Sequence, residues 1–409
     1  MKIKISNRLN SIGGYAFAEI DKKVEELKKI GIIPIDFGIG DPTASTPKLI
    51  RDAIKKAVDI RKSSGYPSYI GSDEFRQEIS KWTKKRFGVG LDYKKEITST
   101  IGAKEAVFNF PEAFVNPGDF VIMPTPGYPP YERGTLFAEG KSYFVPLLKE
   151  NNFLTDLESI PNDIVKKAKI MWINYPNNPT GAIATERFFK EVVDFGHDNN
   201  IIIASDECYS EIYYNEKPHS ILEYSKEGAI AFQSLSKRSA MTCYRVGWVA
   251  GDENIISAFK KLKTNIDSGT ATFIQDAAIA ALKDEKHVDE MRAQYKEKRD
   301  IMVEAFTSAG LENCNPDGAI YLWQKAPKNM NSVDFAKKLL QKEVCIAATP
   351  GAWISETVNG INPGNNYVRM ALVPTVEEIK EAARRIKKYL KQQNSTYVMK
   401  IKDFQDTKN

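Results

Sequence analysis

The stretch "SLSKRSAMTCYRVGW", Ser234 to Trp248, sets one lysine between hydroxyl residues in an apolar context, with an arginine eight residues on. A lysine amine removed from water loses part of its preference for the charged form, and a neutral amine attacks a carbonyl to form a Schiff base. Lys237 carries that chemistry if partners elsewhere converge on it; otherwise Lys237 and Arg245 are solvated cations. Arg245 suits a phosphate, because its planar guanidinium bonds two oxygens at once. Ser234 and Ser236 add hydroxyl donors beside the lysine.

Three other stretches hold candidate partners. In "IIIASDECYSEIYY", Asp206 ends a very apolar run, where a carboxylate is costly unless a donor or cation meets it. It serves either as a cap for the following turn or as the partner of a protonated ring nitrogen. "INYPNNPTGA" is a turn by composition, and Asn178 within it either caps the loop or points its amide into a cleft. In "STIGAKEAVF", Gly102, Ala103 and Lys104 stand where a strand passes into a helix, so their backbone N–H groups are either structural or free for an anion. A Schiff-base lysine, a carboxylate for a ring nitrogen and donors for a phosphate are together what pyridoxal 5′-phosphate requires.

The elements around these residues place them at one kind of position. "DFVIMP", "KIMWIN", "IIIASD", "AIAFQS" and "VGWVAG" are short apolar runs, and segments of helical period such as 185–199 lie between several of them. That alternation predicts a largely parallel sheet covered by helices, in which ligands sit beyond the carboxyl ends of the strands. Tyr128, Asn178, Asp206 and Lys237 all fall there. Helices are expected over 16–30, 46–61, 72–87 and 284–309, and a short strand in "IIPIDFGIGDP". From about 311 the texture changes to "GAIYLW", "VCIAATPG" and "YVRMALV", which predicts a smaller α+β domain. We therefore expect an α/β protein: an N-terminal arm with part of the small domain over 1–45, a large cofactor-binding domain over 46–295, a small C-terminal domain over 296–395 and a polar tail over 396–409.

Bulk properties narrow the function classes. The chain has 409 residues, 42% hydrophobic and 27% charged, with 58 basic against 53 acidic residues. A net charge of +5 spread along the chain argues against nucleic acid as a partner. Cys208, Cys243, Cys314 and Cys345 form no CxxC pair and only three histidines exist, which argues against a metal site or a disulfide framework. No membrane-length apolar run or signal-peptide core is present, so a cytoplasmic protein is expected.

The motifs "DFGIGDP", "GYPSYIGSDEFR", "IGAKEA", "PTPGYPPY", "YPNNPTG", "SDECYSEI", "SLSKRSAMTCYRVGW", "PDGAIYLW" and "YVRMAL" occur in an order that resembles the aspartate aminotransferase-like, class I/II pyridoxal-phosphate enzymes over residues 10 to 390. The resemblance implies that Lys237 is the Schiff-base lysine and Asp206 pairs with the pyridine nitrogen. It further implies that Tyr209 and Asn178 bond the ring's phenolic oxygen, that Tyr128 stacks on the ring, and that the Gly102–Lys104 backbone, Ser234, Ser236 and Arg245 hold the phosphate. Arg369, with Gly40 nearby, would take the substrate α-carboxylate. Tyr66 would reach the neighbouring subunit's phosphate, which implies a homodimer with shared sites. Cys243 stands where the family usually has glycine, which puts the turn before Arg245 in question.

Within the family, "GGYAFAEIDKKVEE" resembles the N-terminal segment of LL-diaminopimelate aminotransferases, with Tyr15 approaching the substrate and Lys104 and Tyr128 lining the site. Tyr15 is equally readable as an anchoring aromatic in an N-terminal arm. Ser268 and Thr272 depart from that group's asparagine-rich stretch. The expected reaction exchanges an amino group between LL-2,6-diaminopimelate and 2-oxoglutarate, giving tetrahydrodipicolinate after cyclisation and glutamate, towards lysine. The alternatives are a broad aspartate, alanine or aromatic aminotransferase, or a C–S lyase of the same fold.

Overall fold

The computed structural model describes residues 1, 3–12 and 18–389. Its strands are β1 (Ile35–Asp36), β2 (Ile97–Thr100), β3 (Phe120–Thr125), β4 (Lys141–Pro146), β5 (Ala168–Asn174), β6 (Ile202–Asp206), β7 (Ala229–Ser234), β8 (Gly247–Gly251), β9 (Tyr321–Lys325), β10 (Ile346–Ala347), β11 (Thr349–Pro350) and β12 (Tyr367–Ala371). Seven of them form one sheet in the order β2-β8-β7-β6-β5-β3-β4. Only β8 runs against its neighbours.

Helices cover both faces of this sheet, so its central strands are apolar throughout rather than alternating. β5 shows the consequence. Ile170 and Trp172 face a core with Phe110, Phe232 and Phe259, while Met171 and Ile173 face another with Trp82 and Phe189. The helix Glu186–Asn199 between β5 and β6 starts on Thr185, whose hydroxyl accepts from Phe188 N. Asn200 ends it in the left-handed conformation. These crossovers bring the carboxyl ends of β5, β6 and β7 to one edge, with Asn174 level with Asp206 in the register.

A second core gathers Leu27, Phe37, Phe306, Tyr321, Phe335 and Met370. It is built on the antiparallel sheet β11-β12-β9 and the parallel pair β1-β10. The helix Lys286–Ser308 reaches into it with Met302 and Phe306. The stretch "VCIAATPG" is one apolar run in sequence but not one strand. It divides at Ala348 into β10 and β11, which belong to different sheets. The helix expected over 16–30 is described as Ala18–Lys29, the others as Lys48–Ile60, Asp73–Phe87 and Lys286–Ser308. The polar tail expected over 396–409 lies outside the described residues.

Phe110 is fully buried, with its ring 5.2 Å from Phe232, 5.7 Å from Phe259 and 5.9 Å from Trp172. Truncating it leaves a cavity under β7, the strand that leads into the turn carrying Lys237. Phe110→Ala is expected to lower unfolding free energy by about 3–5 kcal/mol, read by chemical denaturation.

Candidate active site

Each functional side chain is fixed by the way its strand ends. β6 delivers Asp206 into the interior, where Tyr131 Oη donates to Oδ2 at 2.7 Å and Cys208 N to Oδ1 at 3.2 Å. Burial pushes this carboxyl above its ordinary range, opposed by those two donors. One end of the ladder is pinned by Asn174, whose amide donates to Asp206 O at 2.8 Å and whose Oδ1 accepts from Asn178 N at 2.8 Å. The turn after β5 closes on Asn177, which accepts from Thr180 N and Oγ1. Asn178 Oδ1 thereby comes within 3.4 Å of Arg369 Nη1.

β7 ends on Ser234, whose hydroxyl accepts from Ser236 N at 3.1 Å and starts the single helical turn Leu235–Arg238. That turn presents Lys237, which donates to Gly40 O. Burial, with Arg245 and Arg369 adding to it, pulls the Lys237 amine down to about 8, while Asp41 and Cys208 oppose the shift. Gly40 has no room for a side chain, since a Cβ there would lie 2.2 Å from the Tyr321 hydroxyl. The same hydroxyl meets Tyr209 Oη at 2.9 Å.

Arg245 takes the left-handed conformation at φ +53° and folds over Gly102, where a Cβ would sit 2.3 Å from Nη2. Gly102 itself has φ +71° and opens the helix Ala103–Asn109. Cys243 lies in the short turn Thr242–Tyr244 and carries no positive φ, so the turn before Arg245 needs no glycine at this place. Glycine at 102 thus leaves room for the Arg245 guanidinium beside the start of the helix Ala103–Asn109.

Arg369 stands in the middle strand of the small sheet, between Thr349 and Trp323. Nη2 donates to Gly38 O at 2.8 Å, the guanidinium lies 5.0 Å from the Tyr321 ring centre, and the buried Nε has no partner. Tyr128 sits edge-on to Tyr131 at 5.8 Å, beside Asp206, and burial raises its phenol. Tyr209 is buried and likewise raised. Lys104 is exposed, and Tyr66 is 90% exposed in this chain. Tyr15 lies outside the described residues.

Three residues of the site were not singled out from sequence. Tyr131 donates its hydroxyl to Asp206, Tyr321 bridges Gly40, Tyr209 and Arg369, and Asn174 ties β5 to β6. Tyr131 stands three residues after Tyr128 in "PGYPPY", and its N–H bonds the Tyr128 carbonyl at 3.0 Å where the chain turns into the helix Pro130–Phe137.

A buried carboxylate with no cation bonded to it among the described residues, a desolvated amine, an arginine set over a helix start and a guanidinium whose Nε has no partner form one constellation. It fits a phosphorylated aromatic aldehyde with a basic ring nitrogen, and defines a pyridoxal-phosphate site. A family model for aminotransferase class I and II matches residues 32–386. The LL-diaminopimelate aminotransferase of Aquifex aeolicus is 46% identical over 94% of this chain and 98% of its own length. That of Maridesulfovibrio salexigens is 43% identical over 95% and 99%. A Thermus thermophilus aspartate aminotransferase mutant superposes with a TM-score of 0.87 at 26% identity, covering 95% of this chain and 100% of that one. The chain belongs to the class I and II aminotransferases, which depend on pyridoxal 5′-phosphate.

Glu207, next to Asp206, is fully buried. Its Oε1 accepts from Ser205 Oγ, Ser220 Oγ and Ile221 N, and its Oε2 from Gln233 Nε2. Burial outweighs these donors and lifts its carboxyl from 4.5 to about 7. The folded state therefore keeps a proton that the unfolded chain releases, and this contribution to stability is full below pH 4.5 and lost as pH rises through 7. Glu207→Gln keeps the uncharged shape, with the Gln233 amide turned over to accept. Urea denaturation across this pH range should show the variant losing less stability than the wild type, by on the order of 3 kcal/mol.

Proposed function

We propose that this aminotransferase exchanges the amino group of LL-2,6-diaminopimelate with 2-oxoglutarate, yielding glutamate and a 2-oxo acid that cyclises to tetrahydrodipicolinate. The observation that carries the reading is the convergence of Lys237, Asp206 and Arg369 in a chain 46% identical, end to end, to an LL-diaminopimelate aminotransferase. Bound pyridoxal 5′-phosphate supplies a carbonyl carbon for the amine and an electron-withdrawing ring.

The protein's own groups do the rest. Lys237 Nζ holds the cofactor until the amino acid takes its place, then removes the proton from the substrate Cα. With its pKa near 8, about one-tenth of the free amine is neutral at pH 7, against far less for an ordinary lysine. Asp206 keeps the ring nitrogen protonated, with Tyr131 fixing its carboxylate. Asn178 and Tyr209 would bond the cofactor's phenolic oxygen, and Tyr128 would lie against its ring. Ser234, Ser236, Arg245 and the Ala103 and Lys104 N–H groups hold the phosphate. The Arg369 fork takes the α-carboxylate, exchanging its Gly38 contact for a charged acceptor.

The active unit in this reading is a homodimer. Ile39, two residues from Gly38's neighbour Phe37, is 66% exposed, and Tyr66, Tyr69 and Ile266 are 90%, 43% and 45% exposed. Covering this apolar set with a second copy would bring Tyr66 to the partner's phosphate.

Asp206→Asn is expected to retain the cofactor and lose at least 100-fold in kcat, since an amide cannot stabilise a protonated ring nitrogen; near-normal turnover would assign the role to another acid. Substrate choice is tested by adding single amino acids to the loaded enzyme and following the cofactor's absorbance. LL-diaminopimelate should convert it faster than aspartate, alanine or aromatic amino acids. Arg369→Ala should impair every amino acid, while Tyr15→Phe should weaken LL-diaminopimelate more than glutamate, by about 1–3 kcal/mol. Fast conversion by aspartate with none by LL-diaminopimelate would refute the substrate assignment and leave the aminotransferase class intact.

A further inference from the structure

The residues immediately after Lys237 form a buried polar chain that none of the roles above uses. Ser239 Oγ lies 2.9 Å from His287 Nε2, and His287 Nδ1 lies 2.6 Å from Asp284 Oδ2. Arg238 Nη1 donates to the same Ser239 oxygen at 3.1 Å. The ionised Asp284 only accepts, so the proton of a neutral His287 is on Nδ1 and Nε2 must accept from Ser239. Burial, with Arg238 adding to it, lowers His287 below its ordinary value, against the pull of Asp284 and Glu285, which favours the neutral ring. Donation therefore runs in one direction, Arg238 to Ser239 to His287 to Asp284.

A serine, histidine and aspartate in this arrangement invite a nucleophilic reading. Ser239 does not fit it. It is fully buried, and its oxygen is held by Arg238 as well as by His287.

We propose that the Ser239–His287–Asp284 chain positions Lys237. The lysine lies two residues from Ser239 on a helix of four residues, too short to hold its own orientation. The backbone is tied down on the far side of it. Ser239 N donates to Leu235 O at 3.0 Å, and Ala240 turns the chain at φ +49° while its carbonyl accepts from Thr46 Oγ1 at 2.7 Å. Arg238 reaches Ala281 O at 2.9 Å and Glu285 Oε1 at 2.7 Å. These anchors fall on the helix Thr272–Lys283 and on the junction before Lys286–Ser308. Two side-chain pairs join the turn to the helix pair, Arg238 with Glu285 and Ser239 with His287, and the second holds the chain just past the end of the turn, so it helps to set where the Lys237 backbone sits. The amine must then reach the cofactor's carbonyl carbon and later the substrate Cα from one fixed Cα, where small displacements are costly.

The inference rests on Lys237 being the cofactor lysine, and a Lys237→Ala control separates the two. The loaded wild type, Ser239→Ala, His287→Ala, His287→Gln and the Ser239→Ala/His287→Ala double variant are compared in three readouts. These are kcat per bound cofactor, KM for the amino donor, and the pH midpoint of the cofactor's absorbance change. Ser239→Ala and His287→Ala should each lower kcat on the order of 10-fold, with KM held within about 3-fold and the midpoint moved by at least half a pH unit. The double variant should be no worse than the poorer single one. His287→Gln, whose Oε1 still accepts from Ser239, should recover much of the loss. It carries the test together with Ser239→Ala if His287→Ala does not fold. Folded, loaded variants with unchanged kcat and midpoint, whatever their melting temperature, would overturn the proposal. A Lys237→Ala protein that keeps the absorbance band and turnover would instead overturn the lysine assignment.

Discussion

The constraint on which the site depends is a carboxylate placed inside the protein without a cation. Asp206 is 5% exposed and is met by the Tyr131 phenol and by the side chain and N–H of Cys208. Burial of that kind is unfavourable for the ionised form. In the proposed reading a proton-bearing ring nitrogen would meet this demand, so part of the cofactor's affinity would come from the folded protein itself. Tyr131 is central to this because its hydroxyl orients the carboxylate, and its ring is itself fixed by stacking on Trp172 at 4.8 Å. Core packing and catalytic geometry meet in that one side chain.

The same logic governs the basic side of the site. Lys237, Arg245 and Arg369 are close enough that the two guanidinium groups help to depress the amine. In the proposed reading these arginines take a phosphate and a carboxylate, and filling those positions would weaken their part of the shift, burial remaining its largest cause. Two cores are required for this arrangement. Arg245 and Lys237 come from the large sheet, whereas Arg369 stands on β12 and Gly38 and Gly40 follow β1. The contacts Lys237 to Gly40 O and Arg369 to Asn178 Oδ1 cross between the two sets of elements.

Much of this was legible in the sequence. Asp206 and Ser234 stand at the ends of runs whose apolar character is continuous, and strand-end position in a parallel sheet is a strong locator. The long helices were legible for the same reason, since their period is sustained. What escaped was decided by tertiary contact. β2, with the sequence "ITST", is wholly buried although its residues look like a polar edge, because it pairs with β8 and is covered by the helix Asp73–Phe87. β10 and β11 divide a single apolar run at Ala348 because the first pairs with β1 and the second with β12, partners that no residue type there announces. Tyr321 escaped because its role lies in three partners distant in sequence.

Cys243 shows how far a motif can stray while its geometry holds. A glycine at a turn is required only where the backbone demands a positive φ or where another group needs the space of the missing Cβ. Here the positive φ falls on Arg245 itself, and the space is taken at Gly102, beneath the guanidinium. Cys243 is exposed and meets neither demand. The strained conformation of a bulky residue persists only where its surroundings fix it. Arg245 is held by its own bond to Thr242 O at 2.7 Å and by the glycine below it. In this chain the geometry therefore rests on Arg245 and Gly102 facing each other, and not on the residue at 243.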